Sequence, residues 1–404
     1  MRVTPASFYR NLIYLIGGFL AVYTVYSIVG YDDASTRDHS TAHRKQKHLF
    51  LTVSKDRIAD RFDTLAPKRI LDWTGVFGKN LDPGMMKECR GLEDRCIIVT
   101  DRSQVNRADV VFFHGANVRE TDLPDPDIRN ESQVYIYASM ETPGNTWLNS
   151  PRFSSKMNNY FNWTQTFLLS SDSLWKYGSF WIQSKDAEAR GFKIQSFHLD
   201  PSKITKIKSG VFGLISNCVS ERDKFLKELG RHMNVTIGGK CASSPELKTI
   251  CPKNNDCTSM YEEYPFYVAM ENSICKDYVT EKYWERVPYA SIPIVWSRKI
   301  MESTNPPPKS FIAVDDYMSI KEMAEDLKRI EKDPKAYAEF FNWRFNQLWT
   351  YAPWNAKGFR NGMCGLCERL WNGPHEAKSY KNINDWFETE ANCDSGDFFR
   401  PYLS

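Results

Sequence analysis

The chain has 404 residues, more than one hydrophobic core usually spans, so two domains are expected. Its formal net charge of +3 at pH 7 is too near balance to mark a nucleic-acid-binding protein. Ten cysteines leave two classes open, a disulfide-bonded secreted protein or a metal-rich cytosolic one.

Residues 11–30 are uncharged, mostly apolar, long enough to cross a bilayer, and without a small-residue cleavage site. They read as a signal-anchor behind a cytosolic tail of residues 1–10. Arg2 and Arg10 precede the segment while Arg37, Arg44, Lys45 and Lys47 follow it, so charge alone leaves the orientation open. Residues 31–66 are polar with no sustained periodicity and read as a stem. Three N-glycosylation sequons, at Asn130, Asn162 and Asn234, combine with the apolar segment and the cysteines to favour a lumenal protein.

From residue 69 the pattern turns globular. Short apolar runs at 70–74, 96–100, 108–114 and 134–139 read as buried strands, and the last leads directly into Met140-Glu141-Thr142-Pro143. A second α/β run begins at 208–216, followed by a helix with a capping-box-like start at Ser220 and Asp223 and a strand at 235–238. Residues 264–296 then read as strand, polar turn, short helix and strand, with Thr280 as N-cap and Pro288 as the stop. A further strand and helix follow at 311–314 and 319–332. Strands alternating with helix-length gaps predict an α/β protein with mostly parallel sheets.

Several residues carry chemistry on this reading. A carboxylate ending a parallel strand, as Glu141 does, points into the ligand crevice and can serve as a base, although a local capping role is also open. Lys282 and Arg222 each place a cation in the first turn of a helix, where the macrodipole disfavours it unless an anion lies nearby. For Lys282 the alternative is pairing with Glu281 or Glu285, and for Arg222 simple exposure. Cys364 and Cys367 form a CxxC that lacks the context of a redox motif or a second half of a zinc site. Cys241, Cys251 and Cys257 could staple one loop. No Asp-x-Asp stands at a strand-to-loop position suited to a metal.

Residues 266–296, FYVAMENSICKDYVTEKYWERVPYASIPIVW, resemble the donor-site signature of the α1,3-fucosyltransferases of glycosyltransferase family ten. Met140–Pro143 resembles the family's M-E-S-P, and residues 158–180 its FNWT-x-x-YR-x-DSD-x-x-x-PYG segment. The resemblance implies two Rossmann-like domains facing a cleft (the GT-B-type architecture) behind a single transmembrane helix. It places an acceptor-side domain at 67–205, a donor domain at 206–340 and a C-terminal segment, 341–404, packing back across both. It implies inverting transfer of fucose from GDP-fucose to the 3-OH of N-acetylglucosamine in a glycan, most simply an N-glycan, by a type II enzyme of the Golgi membrane. Glu141 would be the base. Arg222, Asn272, Tyr278, Glu281 and Lys282 would hold the donor, and His114 would touch substrate or stay structural. It further implies a Cys364–Cys367 disulfide, with Cys89, Cys96 and Cys393 joined elsewhere, and at most a stimulatory role for manganese with no tightly bound cofactor. Two departures stand out: Phe167-Leu168-Leu169-Ser170-Ser171-Asp172 lacks the family's Arg and first Asp, and Pro288 shortens the donor helix. The first departure supports an alternative, a catalytically impaired relative that binds a glycan or nucleotide sugar.

Overall fold

The computed structural model describes residues 66–403 apart from 90, 150–151, 179, 190–195, 205, 253–254, 258, 352–361 and 374–376. The runs of apolar and β-branched residues form parallel strands because both of their faces are covered. β1 (Lys68–Asp72), β2 (Cys96–Val99), β3 (Val110–His114), β4 (Val134–Ser139), β5 (Trp163–Thr166) and β6 (Ser173–Leu174) make one sheet in the order β2-β1-β3-β4-β5-β6. Its centre is β3 on β4, with Phe112 opposite Ile136 and Phe113 opposite Tyr137, all four buried. Each such side chain contributes roughly 1.5–3 kcal/mol of burial.

After β7 (Trp181–Gln183), a second parallel sheet follows: β8 (Val211–Leu214), β9 (Val235–Gly238), β10 (Phe266–Val268), β11 (Ile292–Val295) and β12 (Ile312–Ala313), ordered β12-β11-β10-β8-β9. β13 (Trp349–Tyr351) pairs antiparallel with β7. Both parallel sheets start in the middle and reverse direction once. The reversals fall between β1 and β3 and between β8 and β10, and such points open ligand crevices at the carboxyl ends of the strands.

Three expectations need correction. The expected membrane helix is not part of the described architecture: among the described residues no helix is long and apolar enough to cross a membrane. Residues 11–30, where that segment was expected, lie outside the described residues, as do the tail and almost all of the stem. Second, the helix Ser220–Leu229 is capped by Val219 with no side-chain bond, so Ser220 is not an N-cap.

Third, Cys364 and Cys367 are not bonded to each other. Three residues apart on the helix Gly362–Trp371, they face the same way, toward β2 and the 3-10 turn Pro83–Glu88. There Cys364 meets Cys89 and Cys367 meets Cys96, so the pair is no redox couple. The remaining bridges join Cys218 to Cys241, Cys251 to Cys257 and Cys275 to Cys393. The C-terminal segment therefore braces both halves: Gly362–Trp371 lies on the first sheet, and Cys393 holds the turn after β10.

The sequons differ in their surroundings. Asn130 and Asn234 are exposed. Asn162 is not available in the fold: its Nδ2 donates to Lys378 O at 3.0 Å, its Oδ1 accepts from Tyr135 N and Arg129 Nη2, and Thr164 is fully buried. Glycopeptide mapping of secreted protein is expected to find glycan on Asn130 and Asn234 and an unmodified Asn162. A glycan on Asn162 would mean that this corner is open when the chain is modified.

Candidate active site

Glu141 follows β4 at the carboxyl edge of the first sheet, where Pro143 opens the next helix and turns the chain away. Its carboxylate is held by groups from both halves of the molecule. Tyr177 donates its hydroxyl to Oε1 at 2.8 Å, Tyr278 donates to Oε2 at 3.2 Å, and Asn145 Nδ2 reaches Oε2 at 3.3 Å. Tyr177 comes from the segment after β6, and Tyr278 from the turn after β10. Burial, reinforced by neighbouring groups that include Glu141, raises the pKa of both phenols well above the ordinary value. Both therefore remain donors at any physiological pH, and the carboxylate is the only base of the three.

The turn after β10 is clamped against the first half. Asp277 sits at φ +63, and its Oδ2 accepts from Leu169 N at 2.9 Å. Ser273 lies 3.5 Å from Thr142 Oγ1. Gly178 permits the closest approach, because a Cβ there would stand 2.0 Å from the Trp284 indole. The departures at Leu168–Ser170 thus have a structural account: Leu168 is fully buried against the Phe167–Tyr278 cluster, and Leu169 supplies a backbone donor. Asp172, which remains from the family segment, serves the C-terminal segment, bonding Lys378 Nζ at 2.8 Å and Tyr380 Oη at 2.7 Å.

The helix at 281–284 begins at Thr280, whose hydroxyl caps Lys282 N, as the spacing predicts. Glu271 binds the same end: Oε1 accepts from Thr280 N and Oε2 from Thr280 Oγ1, each at 2.7 Å. Lys282 completes the cluster, 2.9 Å from Glu271 and 3.4 Å from Glu281. The anion that offsets the ill-placed cation is thus supplied by the protein itself, from Glu271 and Glu281. Burial would lower the pKa of Lys282, but the two carboxylates outweigh it and hold the group above its ordinary value. Burial would likewise raise Glu281, yet Lys282 and the helix-start bonds keep it below the usual carboxylate range.

Asn272 is half-buried, and its Oδ1 is buried without a hydrogen-bond partner among the described residues. A small cavity beside it, at the ends of β10 and β11, is lined by Glu271, Ser273, Tyr278, Val295, Trp296 and Met301. Arg222 does not face this space. It is 2% exposed and donates to Met270 O at 3.0 Å and to Asn217 O, bracing the chain on either side of the β8–β10 reversal. His114 is also buried, at 1% exposure. Asn117 Oδ1 accepts from both Phe77 N and the His114 ring, so Nδ1 carries the ring proton. Burial lowers the pKa of His114 despite Asn117 and Glu141 nearby, and the ring packs edge-on against Phe77.

Tyr177 and Glu271 were not singled out from sequence, although both lie inside the matching segments. Lys176 was missed as well. It is 5% exposed, and its Nζ has no hydrogen bond among the described residues, only the Phe180 ring at 4.4 Å and the charge of Asp277 nearby. Burial lowers its pKa to about 8.

The two parallel sheets thus approach each other at their carboxyl ends around the Glu141 carboxylate, as two Rossmann-like halves facing a cleft would. A model described as "Fucosyltransferase, N-terminal" matches residues 65–178, and one described as "Glycosyltransferase family 10 (fucosyltransferase) C-term" matches 204–386. The chain belongs to this fucosyltransferase family. It is 27% identical over 336 residues to the α-(1,3)-fucosyltransferase fut-5 of Caenorhabditis elegans, covering 80% of this chain and 83% of that protein. It is 29% identical over 362 residues to the 4-galactosyl-N-acetylglucosaminide 3-α-L-fucosyltransferase 9 of Cricetulus griseus, covering 87% and 89%. A crystal structure of an α1,3-fucosyltransferase with GDP matches with a TM-score of 0.49 and 17% identity, over 78% of this chain and 93% of that one.

Proposed function

We propose that the protein transfers L-fucose from GDP-β-L-fucose to the 3-OH of N-acetylglucosamine in a glycan, inverting the anomeric centre. The observation that carries this reading is the Glu141 carboxylate, fixed between a hydroxyl from each half of the molecule. The acceptor oxygen attacks fucose C1 from the face opposite GDP, the bond from C1 to the β-phosphate oxygen breaks, and the acceptor proton passes to Glu141. Two hydroxyl donors and Asn145 fix the direction of the carboxylate, and a positioned base contributes about 10²–10⁴-fold.

The donor sits along the turn after β10. Asn272, Tyr278 and Glu281 are assigned to orienting its sugars, Tyr278 from the wall of the cavity at the ends of β10 and β11. Lys282, with a quarter of its side chain exposed, answers the charge that develops on the departing diphosphate. Arg222 acts as a positioning residue through the carbonyls of Met270 and Asn217. A stimulatory manganese ion would act as a counter-ion to GDP. Among the described residues, the group of possible ligands close enough to share an ion is Cys218, Asp223 and Cys241, and its two cysteines are spent in a disulfide. The five disulfides, with no free cysteine among the described residues, support a place in an oxidising lumen, the Golgi.

The test is incubation with labelled GDP-fucose and glycans ending in N-acetylglucosamine or lactosamine. The expected product carries fucose in α1,3 linkage. GDP-fucose binding without transfer to any acceptor would leave the impaired relative as the better description.

A further inference from the structure

The loop after β1 holds an exposed aromatic ring that neither packing nor backbone preference explains. Phe77 is 58% exposed and adopts φ +48, in a tight turn where Val76 and Lys79 pair and Gly78 also has positive φ. Two positive φ values in succession favour Asn, Asp or Gly, and a bulky aromatic there is a strained exception. The strain is held in place. Asp72, 2% exposed, accepts from Gly75 N at 2.8 Å and Leu81 N at 2.7 Å, clamping both ends of the loop. Asn117 accepts Phe77 N at 2.9 Å, and the His114 ring supports the Phe77 ring edge-on at 4.7 Å. The site is the β1/β3 reversal of the first sheet, where open α/β sheets bind ligands. Residues held under such strain gather at ligand clamps.

We propose that Phe77 is the stacking platform for the acceptor sugar adjoining the one that receives fucose. This rests on Glu141 marking the fucosylated position. β1 and β4 are two strand spacings apart, roughly 10 Å. A sugar with its hydroxyl at Glu141 therefore leaves Phe77 to its neighbour in the chain. A pyranose turns an apolar, weakly positive C–H face to the negative face of an aromatic ring. The preferred acceptor is accordingly an oligosaccharide rather than a single sugar.

The test compares a methyl glycoside of N-acetylglucosamine with N,N′-diacetylchitobiose and N-acetyllactosamine, using wild type, Phe77→Gly and Phe77→Tyr. Glycine suits the backbone at this position, so loss of function in Phe77→Gly does not come from misfolding. The ratio of kcat/KM for the better disaccharide to that for the single sugar is expected to fall about 10-fold in Phe77→Gly, through KM, and to recover in Phe77→Tyr. An unchanged ratio overturns the platform. Absence of any transfer by wild type would instead overturn the assigned reaction. Saturation-transfer NMR then reads the platform without turnover: contact to the second sugar in wild type that vanishes in Phe77→Gly supports it, and no such contact in wild type removes it.

Discussion

Glu141→Gln is expected to lower kcat by about 10²–10⁴-fold while leaving GDP-fucose affinity unchanged. The substitution keeps the shape of the side chain and one acceptor oxygen, so the Tyr177 or Tyr278 hydroxyl retains a partner. The other phenol oxygen can accept from the new amide, so the cluster keeps its shape while the proton acceptor is lost. The two phenols cannot replace it, because burial raises their pKa values and keeps them protonated. Donor binding, read by calorimetric titration with GDP-fucose, separates this role from a structural one. Glu141 is one link between the halves, through Tyr278, so a variant that merely loosened that link would lose donor affinity along with rate. A Gln variant with wild-type kcat would remove Glu141 as the base and leave the tyrosines' partner without a chemical role.

The parts legible in the sequence were those set locally. β4 spans the expected residues because its aromatic and aliphatic run is buried on both faces. Thr280 caps its helix because its hydroxyl needs only the amide two residues on. Partners distant along the chain were not legible. The cysteines of CxxC look like a pair until the helix that carries them is laid against β2, whose cysteine lies 271 residues away. Arg222 and Lys282 looked alike as cations at helix starts, yet one turns inward to backbone carbonyls and the other joins a carboxylate cluster. The rotation of a helix about its axis decides such matters, and tertiary packing sets that rotation. Tyr177 and Glu271 were hidden for the same reason: each acts on a group from another element.

Lys176→Met is expected to stabilise the protein, because the native ammonium is buried without a hydrogen bond among the described residues. The folded pKa of about 8 lies below the ordinary 10.5, so between these values the unfolded chain holds more protons than the folded one. Stability of the native protein therefore rises with pH across this window, by at most about 1.4 kcal/mol per pH unit. Below pH 8 both states are charged and the full burial cost remains. A displacement from 10.5 to about 8 corresponds to roughly 3 kcal/mol at the upper limit. Methionine matches the length of the lysine stem and keeps the contact with Phe180, so most of that cost should be recovered at pH 7. Urea unfolding at pH 7, 8, 9 and 10 checks both parts. The native protein should gain stability from pH 8 upward, and the variant should start higher and show a flatter dependence. Equal slopes in the two proteins would place the amine in water, whereas a less stable variant would show that Asp277 draws more from this charge than burial takes away. Lys176 precedes Tyr177, which holds Glu141, so the charge that destabilises the fold stands one residue from the group that orients the base.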